Sequence, residues 1–165
     1  MIYRFTFETP LGQMGSVATE RGIALLILPP CKSEYIKQWL SRHYPASPVE
    51  IGGDDNRRLA SQINEYLRGD RKRFELPLDL QVTPFQSRVL QEVAQIPYGQ
   101  TRSYGAIAAR IGNPDAARAV GAANARNPLP LIIPCHRVVA GNGLGGYGGG
   151  AAMKLKLLKL EQDNF

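Results

Sequence analysis

The chain has 165 residues, with only two cysteines, Cys31 and Cys135, and two histidines, His43 and His136. Of these four, only Cys135 and His136 are neighbours. They lie in the proline-bounded run Pro128–Val139, which ends Ile-Pro-Cys-His-Arg-Val-Val. A thiol attacks as its thiolate, and a nearby imidazole or cation lowers its pKa. Prolines hold the chain stiff ahead of Cys135, His136 offers a base, and Arg137 brings positive charge. Two readings stay open at this point. Cys135 is either a nucleophile beside its base or a small buried hydrophobe followed by a core histidine. Adjacent strand residues face opposite ways, so cooperation of the pair requires a turn or a bridging water. No CxxC or HExxH occurs, so no metal site is expected.

The elements that must position this pair fall into two groups. Residues 1–80 read as a small α/β domain with an antiparallel sheet. Ile2–Phe7 alternate, and Gln13–Thr19 and Ile23–Leu28 follow around turns. An amphipathic helix is expected over Ser33–His43, a loop over Pro45–Asp55, a helix over Asn56–Leu67 and a further strand over Lys72–Leu80. Residues 83–165 read as mostly helical. Thr83-Pro84-Phe85-Gln86 has the pattern of a capping box with proline at the first helical position. Ser103 caps a shorter helix closed by Gly112, and Asn113-Pro114 is expected to cap another running to Asn124. That pair has the outline of a helix-turn-helix. A loop rich in glycine frames Tyr147, and a last helix spans about Ala151–Gln162. The fold class expected is α/β (α+β), with a winged-helix-like second domain.

Charge separates the halves. The chain is +6 overall, and residues 83–165 carry nine Lys/Arg against four Asp/Glu, whereas residues 1–82 are nearly balanced. A basic half fits an anionic partner such as nucleic acid, or simply a solvated face. No run approaches the ~18 apolar residues of a membrane span. The first residues lack a basic and then apolar leader, so a cytoplasmic protein is expected. Depending on the cell, that means association with the nucleoid or residence in the nucleus.

Pro134-Cys135-His136-Arg137-Val138 resembles the active-site signature of the O6-alkylguanine-DNA alkyltransferases. Pro97-Tyr98-Gly99, Thr101-Arg102-Ser103-Tyr104, Gly112-Asn113-Pro114, Ala117-Arg118-Ala119-Val120-Gly121, Asn127-Pro128, Gly146-Tyr147 and Leu157-Leu158 to Glu161 match that family in order and spacing. The match spans about Thr83 to Glu161, and the first 82 residues fit only in outline.

The resemblance implies DNA repair by direct reversal. An alkyl group would pass from O6-alkylguanine in duplex DNA, with O4-alkylthymine as a second candidate lesion, to Cys135, once and irreversibly. His136 would act as base through a water, and Glu161 would orient it. The lesion must leave the stack. Arg118 would fill the gap, and Ala116, Ala117 and Gly121 would let the helix approach the minor groove closely. Tyr104 would help turn the nucleotide outward, although periodicity alone makes it the first member of a core stripe. Asn127 would tie the DNA-binding helices to the cysteine loop. Pro130, the Val138 carbonyl, Tyr147 and the Gly148 backbone would form the base pocket. The resemblance implies no cofactor and a monomer. Two departures stand out: Gly148 replaces the serine of some relatives, and the loop from Val139 to Tyr147 is one residue shorter than in many. Zinc, bound by some relatives in the first domain, is not expected with only Cys31 and His43 there.

Two rival readings have their own signatures. A lesion-marking protein without transfer would lack the acceptor cysteine. A winged-helix regulator would need several base-reading polar side chains, where Pro114–Asn124 offers mostly alanine and glycine.

Overall fold

Alternating residues from Ile2 form β1 (Ile2–Thr9), which turns back into β2 (Gly12–Thr19) and then β3 (Gly22–Ile27). β1 pairs antiparallel with β2, and β2 with β3. The computed structural model describes residues 1–165, and the chain divides into two units, Met1–Gln81 and Val82–Phe165.

In the first unit, α1 (Ser33–His43) buries Ile36 and Leu40 in a cluster with Ile2, Val17 and Leu25. The segment expected to be a loop contains β4 (Val49–Ile51), which pairs parallel with β1 and makes the sheet mixed, in the order β3-β2-β1-β4. α2 starts at Asp54 rather than Asn56 and runs to Leu67, burying Leu59, Ile63 and Tyr66. The strand expected over Lys72–Leu80 does not form, and only Leu78 bridges to Ile23. Side chains take the backbone groups a ladder would have used. Gln62 accepts from Glu75 N–H and donates to its carbonyl, and Arg58 donates to the same carbonyl.

In the second unit, α3 (Pro84–Ala94) begins with the reciprocal capping box of Thr83 and Gln86, with Pro84 in the first turn. Its buried Val89, Leu90 and Val93 face the two helices that follow. α4 (Tyr104–Arg110) is capped by Ser103 Oγ, which accepts from Ala106 N–H. It ends at Gly112, whose φ of +81° suits glycine. There Gly112 N–H donates to Ala109 O and Asn113 N–H to Ala108 O, the paired bonds of a Schellman close. α5 (Ala117–Ala125) starts three residues later than Asn113-Pro114 suggests. Ala116 N–H donates to Asn113 O, so Pro114 and Asp115 lie in a turn instead of the first helical turn. Short strands β5 (Arg102–Ser103) and β6 (Val138–Val139) pair in parallel. This joins the entrance of α4 directly to the residues after Cys135. α6 (Ala151–Asp163) closes the chain.

Candidate active site

Two tight turns deliver Cys135. Ile132 N–H donates to Pro130 O around Leu131, whose φ of +70° is the only positive value at a non-glycine residue. Cys135 N–H then donates to Ile133 O across Pro134, whose φ of −78° and ψ of 65° are those of an inverse γ-turn. Cys135–Arg137 form a single 3₁₀ turn, so the thiol and imidazole project from a turn and not from opposite faces of a strand.

Asparagines fasten this segment. Asn127 Oδ1 accepts from Leu129 N–H while its Nδ2 donates to Ile133 O, pinning both ends of the proline-rich loop. Asn124, buried on α5, donates to the Cys135 carbonyl at 3.2 Å. Asn124 thus links the second helix of the helix-turn-helix to the cysteine itself. It escaped the sequence reading, although one signal existed: a polar side chain in the stripe set by Val120 and Ala123.

Behind the thiol lies a buried ionic network. Glu161, fully buried, accepts from His136 Nε2 at 2.7 Å and from Arg137 Nη2 at 2.9 Å through Oε2. Its Oε1 accepts from Arg137 Nε at 2.8 Å and Gly99 N–H at 3.1 Å. Gly99 reaches it from a backbone φ of +79°, which explains glycine at the end of Pro97-Tyr98-Gly99. Arg137 also donates to Ile96 O at 2.7 Å and lies over the Tyr98 ring. Arg137 was expected to bring positive charge to Cys135. The structure instead commits it to Glu161, with which it forms a two-pronged pair.

Burial shifts both the Cys135 thiol and the His136 imidazole toward their neutral forms. Burial pushes the Cys135 thiol above its ordinary value, against opposing contributions from the Asn127 side chain, backbone hydrogen bonds and the Lys154 charge. This corrects the expectation of a lowered thiol pKa. Burial also lowers His136, outweighing the upward pull of its bond to Glu161 and of the Glu161 charge. With Nε2–H donated to Glu161, the imidazole lone pair is at Nδ1, so a neutral His136 can take a proton there.

The remaining predicted residues differ in burial and surroundings. Pro130 and Val138 are buried. Tyr147 is half-buried, edge-on to the His136 ring, and Gly148 is exposed with nothing within 4 Å of where a Cβ would sit. Tyr104 lies between Gly121 of α5 and Gly145 of the glycine loop, a Cβ on the latter falling 2.8 Å from its hydroxyl. Arg118 is exposed on α5, just past Ala116 and Ala117. Thus Cys135, His136, Glu161, Asn127 and Tyr147 are brought together, while Arg118 stands on the outer surface.

Residues 84–163 match the family model described as 6-O-methylguanine DNA methyltransferase, DNA binding domain. A Bacillus subtilis protein named as a constitutive methylated-DNA–protein-cysteine methyltransferase is 41% identical, over 100% of this chain and 98% of its own. A Mycobacterium bovis protein named as a methylated-DNA–protein-cysteine methyltransferase is 40% identical, over 98% of this chain and 93% of its own. The crystal structure of a Mycobacterium tuberculosis O6-methylguanine methyltransferase superposes with a TM-score of 0.85 at 37% identity, covering 100% of this chain and 95% of that one. A Mycobacterium tuberculosis structure in complex with DNA gives 0.84 at 37% identity, covering 98% and 94%.

Proposed function

The chain belongs to the methylated-DNA–protein-cysteine methyltransferase family, and from that premise we propose that Cys135 takes the alkyl group of O6-alkylguanine in duplex DNA in a single, irreversible transfer. The observation that carries this reading is the 3₁₀ turn that places Cys135 beside a buried histidine whose Nε2 is held by Glu161.

The thiol proton passes, through a bridging water, to Nδ1 of His136. The sulfur forms a bond to the alkyl carbon as the carbon–O6 bond breaks, and the electron pair stays with the purine. Return of a proton to the base gives guanine. Glu161 holds the tautomer and offsets the charge that His136 gains, the orienting role of the acid in a hydrolase triad. A thioether is stable and its thiolate a poor leaving group, so no hydrolytic step follows and one molecule repairs one lesion.

The base must be extruded to reach a buried sulfur. Arg118, exposed on α5, enters the stack, and the small side chains of Ala116 and Ala117 with Gly121 allow close approach along the minor groove. Tyr104, held between α5 and the glycine loop, turns the nucleotide outward. Asn127 fixes the loop that carries the cysteine, and Asn124 couples it to α5. Pro130, the Val138 carbonyl, Tyr147 and Gly148 N–H enclose the base. O4-alkylthymine is a second candidate lesion. Residues 83–165 form the catalytic and DNA-binding domain, and residues 1–80 form a separate structural α/β domain. The protein acts as a monomer in the compartment of its DNA: the cytoplasm or nucleoid, or the nucleus of a eukaryotic cell. No helix is long and apolar enough to cross a membrane.

Cys135→Ala tests the assignment. Methyl transfer from O6-methylguanine duplex should vanish while binding of that duplex persists. An alanine variant that still demethylates the DNA would refute it.

A further inference from the structure

One residue of the site belongs to none of these roles. Lys154, in the first turns of α6, is fully buried, and its Nζ donates to the Val138 carbonyl at 2.6 Å and the Gly146 carbonyl at 3.0 Å. A buried ammonium is costly unless paired and hydrogen-bonded, and methionine would fill the same space without that cost. The buried carboxylate of the site, Glu161, is committed to His136 and Arg137. Lys154 is therefore held by two carbonyls from different segments. Val138 follows the cysteine turn and begins β6, whereas Gly146 precedes Tyr147 in the glycine loop.

The geometry points to Lys154 as a positioning residue for alkyl transfer, one that clasps the segment after Cys135 to the glycine loop and so sets the distance between two walls of the base pocket. This inference rests on the alkyl-transfer reading above. A carbonyl oxygen has two lone pairs, so the Val138 oxygen can be fixed by Lys154 and still accept from the guanine amino group. The same bond to Gly146 holds Tyr147 and Gly148 against the turn. The ammonium also favours a thiolate at Cys135, as their mutual charge interaction indicates. Because Lys154 is buried, it does not contact the DNA backbone.

The test is single-turnover transfer to Lys154→Met at increasing concentrations of O6-methylguanine duplex, read by intact mass. Methionine keeps the length and removes the donors and the charge. The saturating rate should fall on the order of 100-fold, as for a misplacement of about 1 Å. The half-saturating duplex concentration should stay within roughly threefold, and Lys154→Arg should recover much of the rate. A saturating rate within about threefold of the parent would overturn the inference, as would a loss confined to half-saturation. If Lys154→Met does not melt cooperatively, Lys154→Leu, which likewise removes the donors and the charge, carries the same comparison and the same criteria. Failure of the unsubstituted protein to gain a methyl would overturn the functional reading and this inference together. A methylated parent with an equally fast variant would overturn this inference alone.

Discussion

Glu161→Gln exposes how the site works, because every acceptor position of that carboxylate is in use. Oε2 receives His136 and Arg137, and Oε1 receives Arg137 and Gly99. An amide offers one oxygen and one NH2, so in either orientation the NH2 meets two donors. If it faces His136, the imidazole can accept the contact only by moving its proton to Nδ1, the atom that must take the proton from Cys135. If it faces Arg137 Nε and Gly99, His136 keeps its tautomer but the guanidinium loses a prong. In both cases Arg137 stays buried without a counter-charge, and breaking such a pair costs about 3–5 kcal/mol. For a chain of this size the melting temperature should drop by roughly 10 °C. A wrong tautomer in the analogous triad lowers turnover by ~10⁴, and transfer here should slow by about 10²–10⁴. Calorimetry reads the first quantity and quenched single-turnover mass spectrometry the second. Transfer within about threefold of the parent, with melting unchanged to ~2 °C, would refute this account of the network.

Other perturbations separate the remaining parts. Arg118→Ala should slow repair of duplex O6-methylguanine by at least ~10-fold more than repair of the same lesion in a single strand, because unstacking costs a few kcal/mol only in the duplex; equal losses would remove the finger role. Gly148→Ser should fold with its melting temperature within about 2 °C of the parent and transfer at least as fast, since a Cβ there meets nothing within 4 Å; a marked loss of stability would contradict the open space. His136 lies below its ordinary 6.5 in the folded protein, so unfolding takes up a proton at lower pH. The stability due to its neutral form should therefore fall as the pH drops below 6.5, down to the folded-state value, and His136→Gln should flatten that slope in melting curves. An unchanged slope would show that the acid sensitivity lies elsewhere.

Local chemistry was legible from the sequence. Thr83, Pro84 and Gln86 announced their capping box, and α1 needed only its amphipathic stripe. Gly112 announced the end of α4 because a left-handed residue was required there. What was illegible depended on partners distant in the chain. β4 is three exposed residues, a strand only because Ile2–Arg4 lie beside it. The Lys72–Leu80 segment has strand-like residues, but Arg58 and Gln62 of α2 occupy the backbone of Glu75. Asn113-Pro114 has the residue types of a helix cap and makes a turn because Ala116 N–H closes on Asn113 O.

The site divides along the same line. Cys135, His136 and Glu161 could be named from motif residues, and a turn at Cys135–Arg137 was one of the two arrangements, with a bridging water, that cooperation of thiol and imidazole would require. The ionic balance was not foreseen. Arg137 sits next to His136 in sequence, yet its charge serves Glu161, while the buried cation that holds the Val138 carbonyl beside the cysteine turn is Lys154, nineteen residues from Cys135. Only a fold that returns α6 to the cysteine turn makes that visible. Asn124 left one trace, a polar side chain in an apolar stripe, but residue types do not reveal that its partner is the Cys135 main-chain carbonyl.

The most direct measurement is peptide mapping of the intact protein after incubation, under reducing conditions, with duplex carrying a single O6-methylguanine. The account predicts one methyl per molecule, on the peptide containing Cys135, with guanine restored in the DNA and no further turnover when fresh lesion is added. A protein left unmodified while the lesion disappears, a methyl on Cys31, or continued turnover would contradict it.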